Sequence, residues 1–240
     1  MSTEQLAATP SLSMNGTIAL LSLGSGEGRF NGDSVAGLHK CLDEVEASNA
    51  TALITTAEGK IWSNGFDTDW LGAHKGEAPA TMVATEKLFA RVLTFPIPTI
   101  AAVGGHVFAG GVMLALAHDV RLMRADRGFL CLPEVDMGVV FTPGMTALLT
   151  GVMTPAAAHR TMILGARLGA PEAAALGIVA EAVPLEELAE RAMATASALG
   201  GRDRATVAGL KTRIYADAVA ALGATPPDEA MLGALWAATG

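Results

Sequence analysis

The sequence holds only two cysteines among 240 residues, Cys41 and Cys131, and they lack the paired spacing of a zinc ribbon or a disulfide framework. They read as core filler in a reducing compartment, and no metal or redox role is expected of them. Aromatic residues make up 5% of the chain and charged residues 17%. The charges are unbalanced, with 16 basic against 24 acidic residues and a net charge of −8. Binding phosphate needs a basic face, so a general nucleic-acid or anionic-membrane surface is excluded and only a local basic pocket stays open. Apolar residues are plentiful at 51%, and the mean hydropathy is +0.40. Disorder and an extended charged coil are thereby excluded, and a large core is available to one compact domain with a helical annex.

The common signature motifs are missing too. There is no GxxxxGK[ST] loop, no GxSxG elbow and no HExxH helix, which removes the commonest NTPase, α/β-hydrolase and metalloprotease readings. Gly24 to Arg29 follows a strand and imitates a dinucleotide loop, but Arg29 stands where the third glycine belongs, so a plain turn is expected. His118 beside Asp119 imitates a dyad, yet adjacent helical residues do not face one another. The N-terminus has no basic head followed by an apolar run, and the last residues are not a peroxisomal address, so the cytoplasm is the compartment expected. The composition of residues 1–14 suggests a loose end.

Ile97–Ala117 and Met137–Ala158 contain no Asp, Glu, Lys or Arg and are long enough to span a bilayer. Pro98, Gly104, Gly105, Pro143, Gly144, Gly151 and Pro155 cut both into short elements, so they read as buried segments of a globular protein with no membrane partner. Their excess of apolar surface predicts homo-oligomerisation.

Along the chain, strands alternate with helices. Thr17–Leu23, Ala52–Thr56, Thr99–Val103, Val120–Met123 and Gly128–Leu132 read as strands. Val35, Leu38, Leu42 and Val45 predict a helix behind a cap at Asn31 or Asp33, and a second helix carrying Met82, Phe89, Val92 and Leu93 must stop before Pro96. A third opens near Ala109. Beyond Pro155 the pattern becomes almost wholly helical. An α/β core over residues 1–184 with a helical region over 185–240 is expected.

Two glycine-rich segments stand out. Gly59–Asp67 runs from a strand end into a turn, and Gly104–Gly111 feeds a helix N-terminus, where free N–H groups and the helix dipole favour negative charge. Spacing alone leaves each open, as a plain tight turn or as one half of an oxyanion hole.

Three segments together, Ile54 to Asp67, Pro98 to Asp119 and Leu132 to Gly138, resemble the crotonase (enoyl-CoA hydratase/isomerase) superfamily, and within it the plant-type Δ3,Δ2-enoyl-CoA isomerases. The likeness runs from about Gly16 to about Ala221 and includes Pro171–Val179, which matches the helix-turn-strand that follows the family's core. It implies a crotonase-like spiral of ββα units whose C-terminal helices build a homotrimer or a dimer of trimers. The implied substrate is a coenzyme A thioester, with no permanently bound cofactor and no metal. It also implies roles: backbone N–H groups of Phe66 and Gly110 as the oxyanion hole, Glu134 as the catalytic acid/base, and Ser63, Asn64, Gly65, Asp67, Gly111 and Met113 around the substrate.

Hydratases of this family use two glutamates, and here the first position is Met113 and the second Glu134. That departure favours double-bond isomerisation over hydration, with Leu132, Val135, Val139 and Val140 expected to desolvate the base. Asp136 is its nearest competitor, because two residues on it would share a strand face. The lysine that many relatives place two residues after the loop aspartate is Asp69 here. Lys60, Lys75, Arg91 and Lys211 are substitutes for phosphate contacts that spacing does not single out, each otherwise a solvated surface charge. Trp62 and Trp70 would flank the ligand or pack in the core. The alternatives at this point are another crotonase-type enzyme, a hydratase or thioester hydrolase, and a non-catalytic CoA-binding oligomer.

Overall fold

The structure, a computed structural model, describes residues 9–24 and 26–239. Its strands are β1 (Ser11–Asn15), β2 (Ile18–Ser22), β3 (Arg29–Phe30), β4 (Ala52–Thr56), β5 (Ile61–Ser63), β6 (Gly65–Phe66), β7 (Thr99–Val103), β8 (His106–Phe108), β9 (Val120–Arg124), β10 (Leu130–Cys131) and β11 (Glu181–Val183). Its helices are α1 (Gly32–Ala47), α2 (Thr68–Ala73), α3 (Ala78–Leu93), α4 (Gly110–Ala117), α5 (Glu134–Met137), α6 (Pro143–Val152), α7 (Pro155–Ala158), α8 (Ala170–Ala175), α9 (Leu185–Leu199), α10 (Arg204–Ile214), α11 (Ala216–Ala221) and α12 (Glu229–Thr239). A π-helical turn, His159–Ile163, follows α7.

Among the described residues the main sheet has the order β1-β2-β4-β7-β9-β11, parallel except for β1. A second parallel sheet has the order β10-β8-β5, and β3 pairs with β6. Successive units therefore leave one strand in the main sheet, continue in a smaller sheet, and then form a helix: β4-β5-β6-α2, β7-β8-α4 and β9-β10-α5. This is the spiral of ββα units that the resemblance implies.

Side-chain alternation explains why the central strands β4 and β7 of the main sheet are buried on both faces. In β7, Ala101 and Val103 face the main core, while Ile100 and Ala102 face a smaller cluster. In β4, Leu53 goes one way and Ala52 and Ile54 the other. Leu188, Ala192 and Ala196 of α9, spaced four apart, close the smaller cluster, so β4 and β7 read as continuous apolar runs with no solvent face, while the edge strand β1 is mostly exposed. Asn31 caps α1 by accepting from Ser34 N, and α3 ends at Leu93 ahead of Pro96.

Three expectations need correction. Ser11–Asn15 is not loose: it pairs antiparallel with β2, register Leu12 to Leu21, while residues 1–8 lie outside the described residues. The region after Pro155 contains β11, which pairs with β9 because Ala125 N and Val183 O close the sheet edge at 2.8 Å. Lys211 is not a surface charge. It is 8% exposed, and its Nζ donates to Phe95 O, Ile97 O and Asp119 Oδ2.

The two charge-poor runs resolve into short elements, and no helix among the described residues is long and apolar enough to cross a membrane. The C-terminal helices do more than extend the fold outward. α11 packs on α6, and α12 returns over α2 and α5.

Candidate active site

The Ser63–Asp67 loop is fixed at both ends by its own side chains. Ser63 Oγ donates to Gly28 O (2.7 Å) and accepts from Gly65 N (3.2 Å), and Asn64 N donates to Glu27 O (2.7 Å). Asp67 N donates to Phe30 O, while its carboxylate caps α2 by accepting from Trp70 N and also accepts from Asn31 Nδ2. Neighbouring residues in a strand send their N–H groups to opposite sides, so with Asp67 N–H turned to β3 that of Phe66 faces away from it.

The start of α4 lies against this loop. Ala109 has φ 49° and ψ −124°, a conformation L residues rarely adopt, and its N–H donates to Cys131 O (3.0 Å). That turn leaves Gly110 N–H in the first turn of the helix, where it has no intrahelical acceptor. Gly65 and Gly110 touch: a Cβ on Gly65, at φ +77°, would lie 2.7 Å from Gly110 N. A Cβ on Gly111 would lie 2.7 Å from Ser63. Glycine is needed at both positions for the two backbones to approach.

Glu134 opens α5 behind Pro133. It is 8% exposed, and among the described residues its Oε2 is buried with no hydrogen-bond partner. Burial raises its carboxyl pKa to about 7. Asp136, the competitor, is exposed. The segment is a short helix rather than a strand, and two residues on a helix turn the side chain by about 200°, so Asp136 points away beside Gly165. The same rotation exposes Val135 (45%), and Val140 is 76% exposed, so the desolvation falls to other neighbours than expected, Leu132 and Val139 excepted.

Glu134, Phe66 and Ala109 open onto one cavity of about 210 Å³. Among its described lining residues Glu134 is the only carboxylate, and Met113, 1% exposed in α4, faces the same space. Asn64 also lines it, whereas Ser63, Gly65, Asp67, Gly110 and Gly111 are not among its lining residues. Trp62 is fully buried core, and Trp70 stacks on His74. Arg91 is taken up by Asp43, Glu46 and His39 O. Among the described residues no group of His, Cys, Asp and Glu is placed to hold a metal ion.

Several cavity residues escaped the sequence reading. Arg29 lines the cavity and pairs with Glu27 at 2.6 Å and Asp69 at 3.4 Å, although its sequence position marked only a failed glycine. Met82, Met137, Met145 and Met231 join Met113 around the apolar part, with Phe141 and Leu235. Met231 and Leu235 are four apart in α12, a spacing that signals one buried helical face and was the clue available.

The family model described as enoyl-CoA hydratase/isomerase matches residues 27–232. The chain belongs to the enoyl-CoA hydratase/isomerase family. It is similar to enoyl-CoA delta isomerase 2, peroxisomal, of Arabidopsis thaliana, 40% identical over 178 residues that cover 70% of this chain and 74% of the relative. It is also similar to the carnitinyl-CoA dehydratase of Escherichia coli strain K12, 35% identical over 162 residues, 67% of this chain and 61% of that one. Among solved structures, an apo Mtb enoyl-CoA isomerase superposes with a TM-score of 0.84 at 24% identity over 90% of this chain and 95% of the other, a likeness of fold.

Proposed function

We propose that this protein is a Δ3,Δ2-enoyl-CoA isomerase in which one glutamate moves the proton. The observation that carries the reading is the cavity's carboxylate inventory: among its described lining residues Glu134 is the single carboxylate, and Met113 lines the same space. Placing and activating a water for hydration in this family takes a second carboxylate, whereas shifting a double bond takes one group that first accepts a proton and then returns it.

Glu134 removes a proton from C2 of a 3-enoyl-CoA, and the electron pair delocalises over the former C3–C4 double bond and the thioester oxygen. The N–H groups of Phe66 and Gly110 hold that oxygen as its negative charge develops, and removing one such donor typically costs about 3 kcal/mol or more. The protonated Glu134 then delivers the same proton to C4, which leaves the double bond between C2 and C3, conjugated with the carbonyl. A carboxyl pKa of about 7 suits both halves, because neither protonation state is strongly preferred at neutral pH.

Asn64 and Met113 contact the substrate, while Ser63, Gly65, Asp67 and Gly111 hold the loop that presents Phe66. The enzyme serves the oxidation of unsaturated fatty acyl groups as a homotrimer or a dimer of trimers. Exposed Val140, Ile163, Leu164, Leu210 and Ile214 supply the apolar surface such an assembly would bury. Both cysteines are buried and unpaired, which suits a reducing compartment, and the cytoplasm is the one proposed.

The test is a paired assay with 3-hexenoyl-CoA and 2-hexenoyl-CoA, following the absorbance of the conjugated thioester. Conjugated product from the first, no hydration of the second, and a loss of roughly hundredfold to ten-thousandfold in Glu134→Gln are expected. Efficient hydration of 2-hexenoyl-CoA, or full activity in Glu134→Gln, would overturn the proposal.

A further inference from the structure

Behind one wall of the cavity lies a second one, of about 510 Å³, between residues 138–143 and 225–234. The two have three lining residues in common, Val140, Phe141 and Met231, so a single layer of side chains separates them. Val140 is 76% exposed, which leaves Phe141 and Met231, both half-buried against the core, as the partition. The outer cavity is mostly apolar, walled by Pro143, Pro226, Pro227 and Ala230, and of its polar lining residues Thr142 and Asp228 are engaged in hydrogen bonds within the protein while Thr225 also faces it. An alkyl chain fits the apolar part of such a lining.

The two halves of the partition are held differently. Phe141 is followed by Thr142, whose Oγ1 donates to the buried carboxylate of Glu86 (2.7 Å) and accepts from Met145 N to cap α6. The other oxygen of Glu86 accepts from Gly223 N (2.8 Å), in the segment that leads to α12. Glu86 thus ties together the two segments from which the partition is built. Met231 has its backbone fixed by Asp228, whose carboxylate accepts from Met231 N (2.7 Å), but its side chain is an unbranched thioether with three rotatable bonds. One half is a ring on a fixed backbone and the other a flexible plug.

We infer that Phe141 and Met231 set the length of acyl chain this site accepts, the inner cavity taking a short unbranched acyl group and the outer one receiving the end of a longer chain only when the partition is opened. The inference rests on the isomerase reading for the identity of the ligand, an acyl-CoA, but the wall itself can be tested without turnover.

The experiment compares wild type, Phe141→Ala, Met231→Ala and Met231→Trp with 3-hexenoyl-CoA and 3-tetradecenoyl-CoA, and measures in parallel the binding of saturated hexanoyl-CoA and tetradecanoyl-CoA. Wild type should favour the short chain. Either alanine variant should raise the long-to-short ratio of kcat/KM by about tenfold or more, the scale set by methylene groups in an apolar pocket. The binding ratio should move the same way, and Met231→Trp should not raise either. Should Phe141→Ala fail to unfold cooperatively, Met231→Ala alone decides. Ratios unchanged by the alanine variants in turnover and in binding, or a wild type indifferent to length, overturn the inference. A shifted binding ratio in proteins that isomerise nothing would sink the isomerase reading and leave the partition standing.

Discussion

The Cα of Gly65 rests against the backbone nitrogen of Gly110, so close that a methyl group there would come within 2.7 Å of that nitrogen and 3.1 Å of the Ala109 Cβ. The two proposed oxyanion donors are therefore set by one contact between a loop and a helix start. Gly65→Ala should lower kcat/KM for 3-hexenoyl-CoA about a hundredfold or more by displacing Gly110 N–H. The strain at φ +77° should cost about 1–3 kcal/mol of stability as well. Gly59→Ala is the matched control, since Gly59 has φ +88° and nothing within 4 Å of its Cβ position. It should show the strain and keep the activity. Equal losses of activity in both variants would mean that the Gly65 contact is only a turn.

Burial makes Glu134 a stability burden at high pH. Its pKa rises from the ordinary 4.5 to about 7 on folding, so the folded state holds the proton more tightly than the unfolded one. The stabilising difference is fully present below pH 4.5 and is lost as pH rises through about 7. Complete loss corresponds to roughly 3 kcal/mol. Glu134→Gln, which carries no charge, should thus be more stable than wild type at pH 8 by up to about that amount, and its advantage should shrink towards pH 5. Urea unfolding of both proteins at the two pH values measures this. An advantage independent of pH would show that packing, not charge, is responsible.

Much of this architecture was legible because its signals are local. The β7 run Thr99–Val103, bracketed by Pro98 and Gly104, reads as a doubly buried strand, and the Asn31 cap and the Pro96 stop follow from backbone chemistry alone. The roles proposed for Phe66 and Gly110 could not be derived in that way, since backbone donors leave no trace in side-chain identity and came from the family resemblance. The strand face expected to be shared by Glu134 and Asp136 is instead a helical turn, because four residues, Glu134–Met137, are too few to show whether their period is 2 or 3.6. Lys211 and the cavity face of α12 depend on contacts across more than a hundred residues, Lys211 with Phe95 being one, and no local pattern encodes such pairs.

Met113 bears on the choice of reaction. It is fully buried and faces the same cavity as Glu134, so Met113→Glu would place a second carboxylate in that space. Hydration of 2-hexenoyl-CoA should rise above the wild-type background. Like charges in one cavity disfavour ionisation, so the acid limb of the Glu134-dependent isomerase profile should move to higher pH. The buried carboxylate should also lower stability by about 1–3 kcal/mol. A variant that folds, isomerises as before and shows an unmoved pH profile would place residue 113 outside the reacting region.

Lys211 separates a structural charge from a ligand-binding one. Its Nζ holds Phe95 O, Ile97 O and Asp119 Oδ2, and the same Asp119 oxygen accepts from Thr99 N and Oγ1 at the head of β7. This pin joins α10 to the strand that leads into the Gly104–Gly111 turn. Lys211→Met keeps most of the side-chain volume but leaves the carboxylate and two carbonyls without their shared donor. Only the lysine side of this pair is buried, and leaving its acceptors without their donor costs about 1–3 kcal/mol, which urea unfolding would register. The KM for 3-hexenoyl-CoA should stay at the wild-type value in the folded fraction, because no ligand phosphate reaches a lysine enclosed by α10 and the Phe95–Ile97 segment. A raised KM with stability intact would instead make Lys211 a coenzyme A contact.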